Sequence, residues 1–320
     1  KFIELVDKER LQVVNFEKLG FSNRSKNDEF GFWPMLIGGF FLYASYYGTD
    51  QTQSQRLLSS KNMGTIKKLL FANAIFRFPI TLTYCIMGLV IGTLFYQDTS
   101  FQEMIGSVYS SNINFLEGKK ADLMVPVFII HYLPSGIIGI LIVAIMSAAM
   151  SSLSSTINSL SAVTMEDFVK RFDNNISDKK YINLSRIISV FWGILCLFIA
   201  LFTGKIEGTV IEVINKIGSV FYGPIIGTFV LAIMTKKTHS IGANIGILAG
   251  VFFNIFLWLR VPDVFWFWWN AIGFATTFTI GLLASFFIHG TKTQNLKVEY
   301  YAEAKDVLKL ILYFFIILTF

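Results

Sequence analysis

Long apolar segments recur along this chain, and short polar loops separate them. A helix that crosses a lipid bilayer needs about 20 predominantly apolar residues, and several segments reach that length. Seven spans are predicted, at residues 31–52, 66–96, 136–165, 185–203, 209–234, 240–259 and 265–288, with an incomplete eighth beginning near 307. The sequence therefore predicts an all-α polytopic membrane protein.

The composition supports a membrane protein and argues against other classes. Hydrophobic residues make up 54% of the chain and charged residues 15%, whereas soluble domains carry about 25% charged residues. The net charge of +6 does not indicate nucleic-acid binding, because the basic residues lie in short loops between apolar segments. Cys85 and Cys196 lie inside apolar segments, and no metal-binding spacing occurs. The sequence contains no nucleophile–base pair and no phosphate-binding loop that would indicate an enzyme.

The loop charges predict an orientation. The loops after spans one, three, five and seven carry most of the lysines and arginines of the inter-span loops. Because basic loops stay in the cytoplasm, we expect these loops inside and the long loop 97–135 outside, in the plasma (inner) membrane. Residues 1–30 are then an extracellular loop segment, and Phe2–Leu19 has an amphipathic helical pattern.

The first span is unusually polar for a membrane helix. Gly48 and its polar neighbours lie in the stretch Ser45–Gln51, where a smooth anchor would be apolar. Unwound backbone at membrane depth is tolerated only where it lines a cavity, so one interpretation is a broken helix. The other is that Ser45–Gln55 is the cytoplasmic end of the helix and its turn.

The third span carries a cluster of hydroxyl side chains. At helical spacing, Ala148, Ser151, Ser152 and Ser155 lie on one face. Oxygen atoms on one face suit a monovalent cation, and a divalent site is disfavoured because no carboxylate lies there. Close helix packing through small residues is the alternative that the pattern leaves open.

Two motifs carry a resemblance to a known family. The first is Tyr47–Arg56 (YGTDQTQSQR), followed by Leu57–Ser60. The second begins at Leu133–Gly136 (LPSG), continues through Ala148–Ser155 (AAMSSLSS) and closes with Asn158, Ser159 and Val163–Asp167 (VTMED). In order and spacing the chain resembles the sodium:solute symporter family, whose members carry sugars, sialic acid, carboxylates or vitamins.

The resemblance implies a LeuT-type inverted-repeat fold, in which five-helix repeats pack around a site near the bilayer midplane. Residues 31–234 would then be the second repeat, and residues 235–320 would be peripheral C-terminal helices, the last of them truncated. The expectation is therefore a fragment that lacks the first repeat, whose helices complete the ion and substrate sites.

The resemblance also implies sodium sites on the third span. The common sodium site of the family matches the carbonyl of Ala148 and the hydroxyls of Ser151 and Ser152. A second sodium site, present in some members, matches Ser154 and Ser155. Sodium is thus the expected coupling ion.

The substrate site and its gate are expected on several spans. Ser45, Tyr46 and Tyr47 lie where sugar-transporting members place an aromatic gate, although membrane-interface anchoring suits tyrosine equally. The motif residues Asp50 and Gln51 are expected to hold the broken segment and the following loop. The family often takes a substrate hydrogen bond from the helix that contains Asn215.

Arg77 is a charge inside the second predicted span. A charge at that depth is costly and favours a functional role, such as pairing with an anionic substrate. The guanidinium could instead bind carbonyls released by Pro79 or extend to the membrane surface. Glu212 and Lys216, four residues apart, predict a helical ion pair.

The predicted function is secondary active transport by alternating access, coupling inward sodium movement to uptake of a small organic solute. The expected partners are that solute, sodium ions and the lipid bilayer, with no nucleic acid. The alternative is a transporter-like sensor domain of a signalling protein, since some relatives join this fold to a kinase.

Overall fold

The computed structural model describes residues 14–21, 30–60, 62–111, 120–173, 176–203, 209–235 and 238–288, which form helices and turns without a strand. The helices of this part of the chain are α1 Gly39–Thr49, α2 Gln51–Leu58, α3 Met63–Gln97, α4 Thr99–Ser111, α5 Met124–Tyr132, α6 Ser135–Val163, α7 Asp178–Thr203, α8 Val210–Met234, α9 Ser240–Arg260 and α10 Trp268–Phe287. A π-helical turn, Pro34–Gly38, leads into α1. A second one, Thr164–Val169, continues α6 into the short turn Lys170–Phe172.

Six of the described helices are long and apolar enough to cross a membrane, namely α3, α6 with its extension, α7, α8, α9 and α10. They confirm six of the seven predicted spans. The first predicted span, 31–52, is helical without a break from Phe32 through the π-helical turn and α1 to Thr49. The incomplete eighth span near 307 lies outside the described residues.

The described residues divide into two compact units. Tyr84–Val213 form one, called the continuous unit, and the residues before and after it form the other, called the discontinuous unit.

In the discontinuous unit, α9 and α10 pack through small residues. Gly242, Gly246 and Gly250 recur at every fourth position of α9 and are buried. A Cβ atom at Gly246 would lie 2.7 Å from the carbonyl oxygen of Thr277 and 2.8 Å from Cα of Gly281. The two backbones therefore touch, which small residues at this spacing permit between membrane helices.

Pro224 interrupts the hydrogen bonding of α8, and a neighbouring helix completes it. Proline has no N–H, so the carbonyl of Val220, four residues earlier, loses its helical partner. Asn254 Nδ2, on α9 and fully buried, donates to that carbonyl at 3.0 Å. Asn270 Nδ2, on α10, donates to Ser219 Oγ at 3.0 Å. Both neighbours thus fix α8 at its proline.

Residues 14–21 contain no helix, so the amphipathic helix predicted over Phe2–Leu19 is wrong for residues 14–19, and residues 1–13 lie outside the described part. The carbonyl of Gly20 accepts from the N–H of Phe265 at 2.8 Å. The carbonyl of Leu19 accepts from Trp268 Nε1 at 2.7 Å. The ring of Phe21 also stacks on that of Trp268, with centroids 5.0 Å apart.

The continuous unit begins with a small core in the predicted long loop 97–135. Phe101 and Ile105 of α4 and Val127 of α5 are buried together with Ile91 of α3. The predicted loop therefore contains two helices, α4 and α5, that the sequence analysis did not predict.

Asp98 joins the ends of three helices in this core. Its carboxylate accepts the N–H of Ser100 at 2.9 Å and the hydroxyl of Tyr132. The bond from Tyr132 is the main reason that the pKa of Asp98 lies below its ordinary value. The carboxylate form is therefore favoured in the folded state, and this contribution to stability is lost as the pH falls through the lowered pKa.

The end of α6 that carries the VTMED motif is fastened to α7. Ser161 Oγ donates to the carbonyl of Ser185 at 3.0 Å, and Trp192 Nε1 donates to Thr164 Oγ1 at 2.9 Å. Glu166 accepts from Tyr181 at 3.0 Å and pairs with a lysine one turn on. The VTMED motif thus includes residues that hold this helix end on its neighbour.

Candidate ion and substrate sites

The polar first span is interrupted at Asp50. This residue has an extended ψ of 125°, and its carboxylate accepts the N–H of Gln53 at 2.9 Å as the N-cap of α2. Gly48 stays helical, so the interruption lies two residues beyond the glycine. Asp50 therefore holds the segment, as the sequence predicted, and Gln51 is the first residue of the next helix.

Ser45 lies one turn before the interruption and is buried. Its carbonyl accepts the hydroxyl of Thr49 at 2.8 Å, and the two hydroxyl oxygens are 3.1 Å apart. Ser45 is thus engaged with its own helix in this structure.

Tyr46 and Tyr47, the candidate gate residues, form hydrogen bonds with different partners. Gln53 Nε2 donates to the hydroxyl of Tyr46 at 2.7 Å, which spans the interruption from α2 to α1. Arg77 of α3 donates from Nη1 to the hydroxyl of Tyr47 on α1 at 2.8 Å. Its Nη2 donates to the hydroxyl of Tyr43 at 3.2 Å, and its Cζ lies 4.7 Å from the centroid of the Tyr43 ring. Arg77 of α3 therefore lies against α1.

Sequence reasoning missed Tyr43 and Gln53. A signal for Tyr43 was available, because it precedes Tyr47 by four residues and shares its helix face. The two rings are stacked with centroids 6.5 Å apart. Gln53 offered no comparable signal, since its bond to Tyr46 depends on the angle at which α2 leaves Asp50.

The predicted sodium residues lie on one uninterrupted helix. Ala148, Ser151, Ser152 and Ser154 are exposed on α6, and Ser155 is half-buried. Ser155 Oγ donates to the carbonyl of Ser152 at 2.9 Å. Because that bond uses the hydroxyl proton, the oxygen lone pairs stay available to a cation.

The residues of α8 make other contacts than predicted. Asn215 is half-buried. Glu212 accepts the N–H of Thr209 at 3.0 Å and so caps the helix start. Lys216 Nζ lies 5.4 Å from the ring centroid of Trp258 and 5.9 Å from that of Trp269. Cation–π contacts thus replace the predicted ion pair with Glu212.

The two sets of predicted site residues fall in different units. Ser45, Tyr46, Tyr47, Arg77 and Asn215 belong to the discontinuous unit, and the candidate sodium residues of α6 belong to the continuous unit. Within the residues that the structure describes, no three His, Cys, Asp or Glu side chains gather as metal ligands.

Comparisons with known proteins give the family. The model of the sodium:solute symporter family matches residues 8–250. The human sodium-coupled monocarboxylate transporter 1 is 28% identical over 72% of this chain and 36% of its own length. The rabbit sodium-dependent multivitamin transporter is 30% identical over 73% of this chain and 35% of its own. The chain thus spans about a third of the length of these relatives.

A solved structure agrees on the fold. A Na⁺-coupled sialic acid symporter in a substrate-bound, outward-open state superposes with a TM-score of 0.61, covering 81% of this chain and 50% of that one, at 23% identity. The fold is that of a LeuT-type integral membrane transporter, as the sequence predicted. The chain belongs to the sodium:solute symporter family, a family of transporters and not of enzymes.

Proposed function

We propose that the protein containing this chain takes up a small organic solute together with sodium, by alternating access. The family match and the sodium-coupled relatives support this function. The observation that carries it within the chain is the cluster of hydroxyl side chains on one face of α6, which matches the family's sodium position by resemblance. Replacing external sodium by choline should abolish uptake by the full-length protein in proteoliposomes, and unchanged uptake would reject the function.

The first proposed sodium site takes the carbonyl of Ala148 and the hydroxyls of Ser151 and Ser152. These residues lie within about one turn of α6, so their oxygen atoms are close together along the helix. Neutral oxygen ligands favour a hard monovalent ion, because a divalent ion usually recruits carboxylates. The remaining ligands would come from helices outside this chain.

A second sodium ion is proposed at Ser154 and Ser155. The inward bond of the Ser155 hydroxyl leaves its oxygen as an acceptor, which supports a ligand role. Each ion that crosses 100 mV contributes about 2.3 kcal/mol, so a second ion would double the electrical driving force.

The proposed inner gate is Tyr46 or Tyr47, beside the interruption at Asp50. Tyr46→Ala and Tyr47→Ala should each be tested for solute accumulation. We expect the gate variant to lower accumulation at least about tenfold with normal membrane insertion, because a lost aromatic lets the solute leak back. Phe253→Ala on α9, an exposed aromatic with no proposed role, is the matched control. Normal accumulation by both tyrosine variants would leave them as interface anchors.

The proposed location is the plasma membrane, with the basic loops in the cytoplasm. In a background with every native cysteine, including Cys85 and Cys196, replaced by serine, we expect Ser107→Cys on α4 to react with an impermeant thiol reagent in intact cells. Ser177→Cys, between α6 and α7, should react only after permeabilisation. Both serines are exposed, so accessibility depends on the side of the membrane. The reverse labelling pattern would overturn the orientation.

A further inference from the structure

The helix α2 and the start of α3 carry basic side chains and no acidic ones. Residues 51–97 contain five lysines and arginines and no aspartate or glutamate. Arg56, in the last turn of α2, and Lys67 and Lys68, near the start of α3, are exposed and are called the basic patch. Within the described residues the basic patch forms no ion pair, whereas other exposed lysines of the chain do. Its three charges are therefore available to an anionic partner.

The length of α3 places these charges at the level of the lipid headgroups. Its 35 residues extend about 52 Å at 1.5 Å per residue, whereas the hydrocarbon core of a bilayer is about 30 Å thick. An upright α3 therefore has about 20 Å outside the hydrocarbon, shared between its two ends. Lys67 and Lys68 lie about 6 and 8 Å from the first residue of α3, within that outer length. Their long side chains extend readily to headgroup phosphates.

Two large apolar side chains accompany the basic patch. Leu58, the last residue of α2, is 77% exposed, and Met63, the first residue of α3, is 67% exposed. Apolar side chains of this size gain free energy when they leave water. A soluble anion bound at the basic patch would leave both side chains in water, whereas the acyl chains next to a lipid headgroup would cover them. The combination of charge and apolar surface therefore favours a lipid over a soluble anion.

We infer that the basic patch, together with Leu58 and Met63, binds the headgroup of an anionic phospholipid. The guanidinium of Arg56 matches two oxygens of a phosphate, and the two lysines add point charges. The first turn of α3 adds the positive end of a helix dipole, which also favours an anion. Under the proposed orientation, the lipid belongs to the cytoplasmic leaflet. It would lie beside α2, which begins directly after the helix end at Asp50.

The test measures lipid binding to the full-length protein in detergent by native mass spectrometry. The probes are dioleoyl phosphatidylglycerol, which is anionic, and dioleoyl phosphatidylcholine, which has the same acyl chains and no net charge. We expect the dissociation constant of the first phosphatidylglycerol to be about 100-fold lower than that of phosphatidylcholine. Each basic residue near an anionic lipid contributes about a fivefold factor, and the basic patch has three. The preference should weaken as the salt concentration rises.

Three variants connect this preference to the named residues. Arg56→Gln, Lys67→Gln and Lys68→Gln combined should make the two lipids bind within about threefold of each other. The matched control combines Arg171→Gln, Lys179→Gln and Arg186→Gln, which removes the same charge from exposed residues that lie among aspartates and glutamates. The control should keep most of the preference. Leu58→Gln with Met63→Gln should weaken phosphatidylglycerol about tenfold, because the acyl chains lose apolar contacts. An unchanged melting temperature in phosphatidylcholine shows that each variant is folded.

Three results would overturn the lipid site. Equal binding of the two lipids by the wild type would mean that nothing at the basic patch selects an anionic headgroup, for example because another segment of the full-length protein covers it. An equal loss of preference in the control would make the preference a general effect of the positive loops. Displacement of phosphatidylglycerol by millimolar glycerol 3-phosphate, with the Leu58 and Met63 variant behaving as wild type, would make the ligand a soluble phosphate. None of these measurements depends on sodium-coupled uptake.

Discussion

Ser151→Ala and Ser152→Ala are each expected to raise the sodium concentration for half-maximal uptake at least about tenfold, which corresponds to about 1.4 kcal/mol. Each change removes one oxygen from a site whose ligands within this chain are neutral oxygen atoms, so none of them compensates with a charge. The methyl group that remains fits the helix, because alanine is the best helix former and both side chains are exposed on α6. Uptake as a function of sodium concentration in proteoliposomes measures the effect.

The control for these variants is Ser189→Ala on α7. Its hydroxyl donates to the carbonyl of Ser185 in its own helix at 2.9 Å, so the substitution makes the same chemical change in a neighbouring span. The control should keep the sodium dependence of the wild type. If Ser151→Ala and Ser152→Ala also keep it, the hydroxyl face of α6 serves helix packing and the proposed sodium site is refuted.

The hydroxyl face of α6 was predictable because α6 is regular. In an uninterrupted helix, spacing alone decides which side chains share a face, and no tertiary information is needed. The bounds of Ser135–Val163 therefore placed Ala148, Ser151 and Ser152 as the sequence indicated. What binds to that face could not be derived in the same way, because the oxygen pattern suits packing and ion binding alike.

The end of the first helix at Asp50 agrees with both interpretations of the polar stretch, a broken helix and a helix end with its turn. Gly48 drew attention as the flexible residue, yet the helix passes through it and ends before Asp50. An N-cap aspartate satisfies the free N–H groups of the helix that follows, and this decides the boundary. Asp50 with Gln53 three residues later was a start signal for α2 that outweighs the glycine.

The partners of Arg77 and Lys216 could not have been predicted. Both contacts join residues about 30 or more positions apart in sequence, and they depend on how helices approach each other in space. Local spacing instead suggested the ion pair of Lys216 with Glu212. In the structure, the carboxylate of Glu212 caps the start of α8, and the ammonium of Lys216 contacts two indole rings.

Gly246→Leu on α9 is expected to destabilise the protein strongly. Its Cβ would lie 2.7 to 3.0 Å from backbone atoms of Thr277 and Gly281 on α10, and backbone cannot move aside as a flexible side chain can. Overpacking of this kind costs about 1–3 kcal/mol even against side chains. We expect the apparent melting temperature in detergent to fall by at least about 5 °C, or no folded protein to be recovered.

The matched control is Asn244→Leu, which introduces the same side chain at an exposed position of the same helix. It should leave the melting temperature unchanged or raise it slightly, because an apolar side chain then replaces a polar one on an exposed face. Gly246→Ala should fall between the two, since its Cβ alone already meets the backbone of α10. Size-exclusion chromatography after graded heating measures all three. If Gly246→Leu melts with the wild type, α9 and α10 do not approach as closely as their small residues allow.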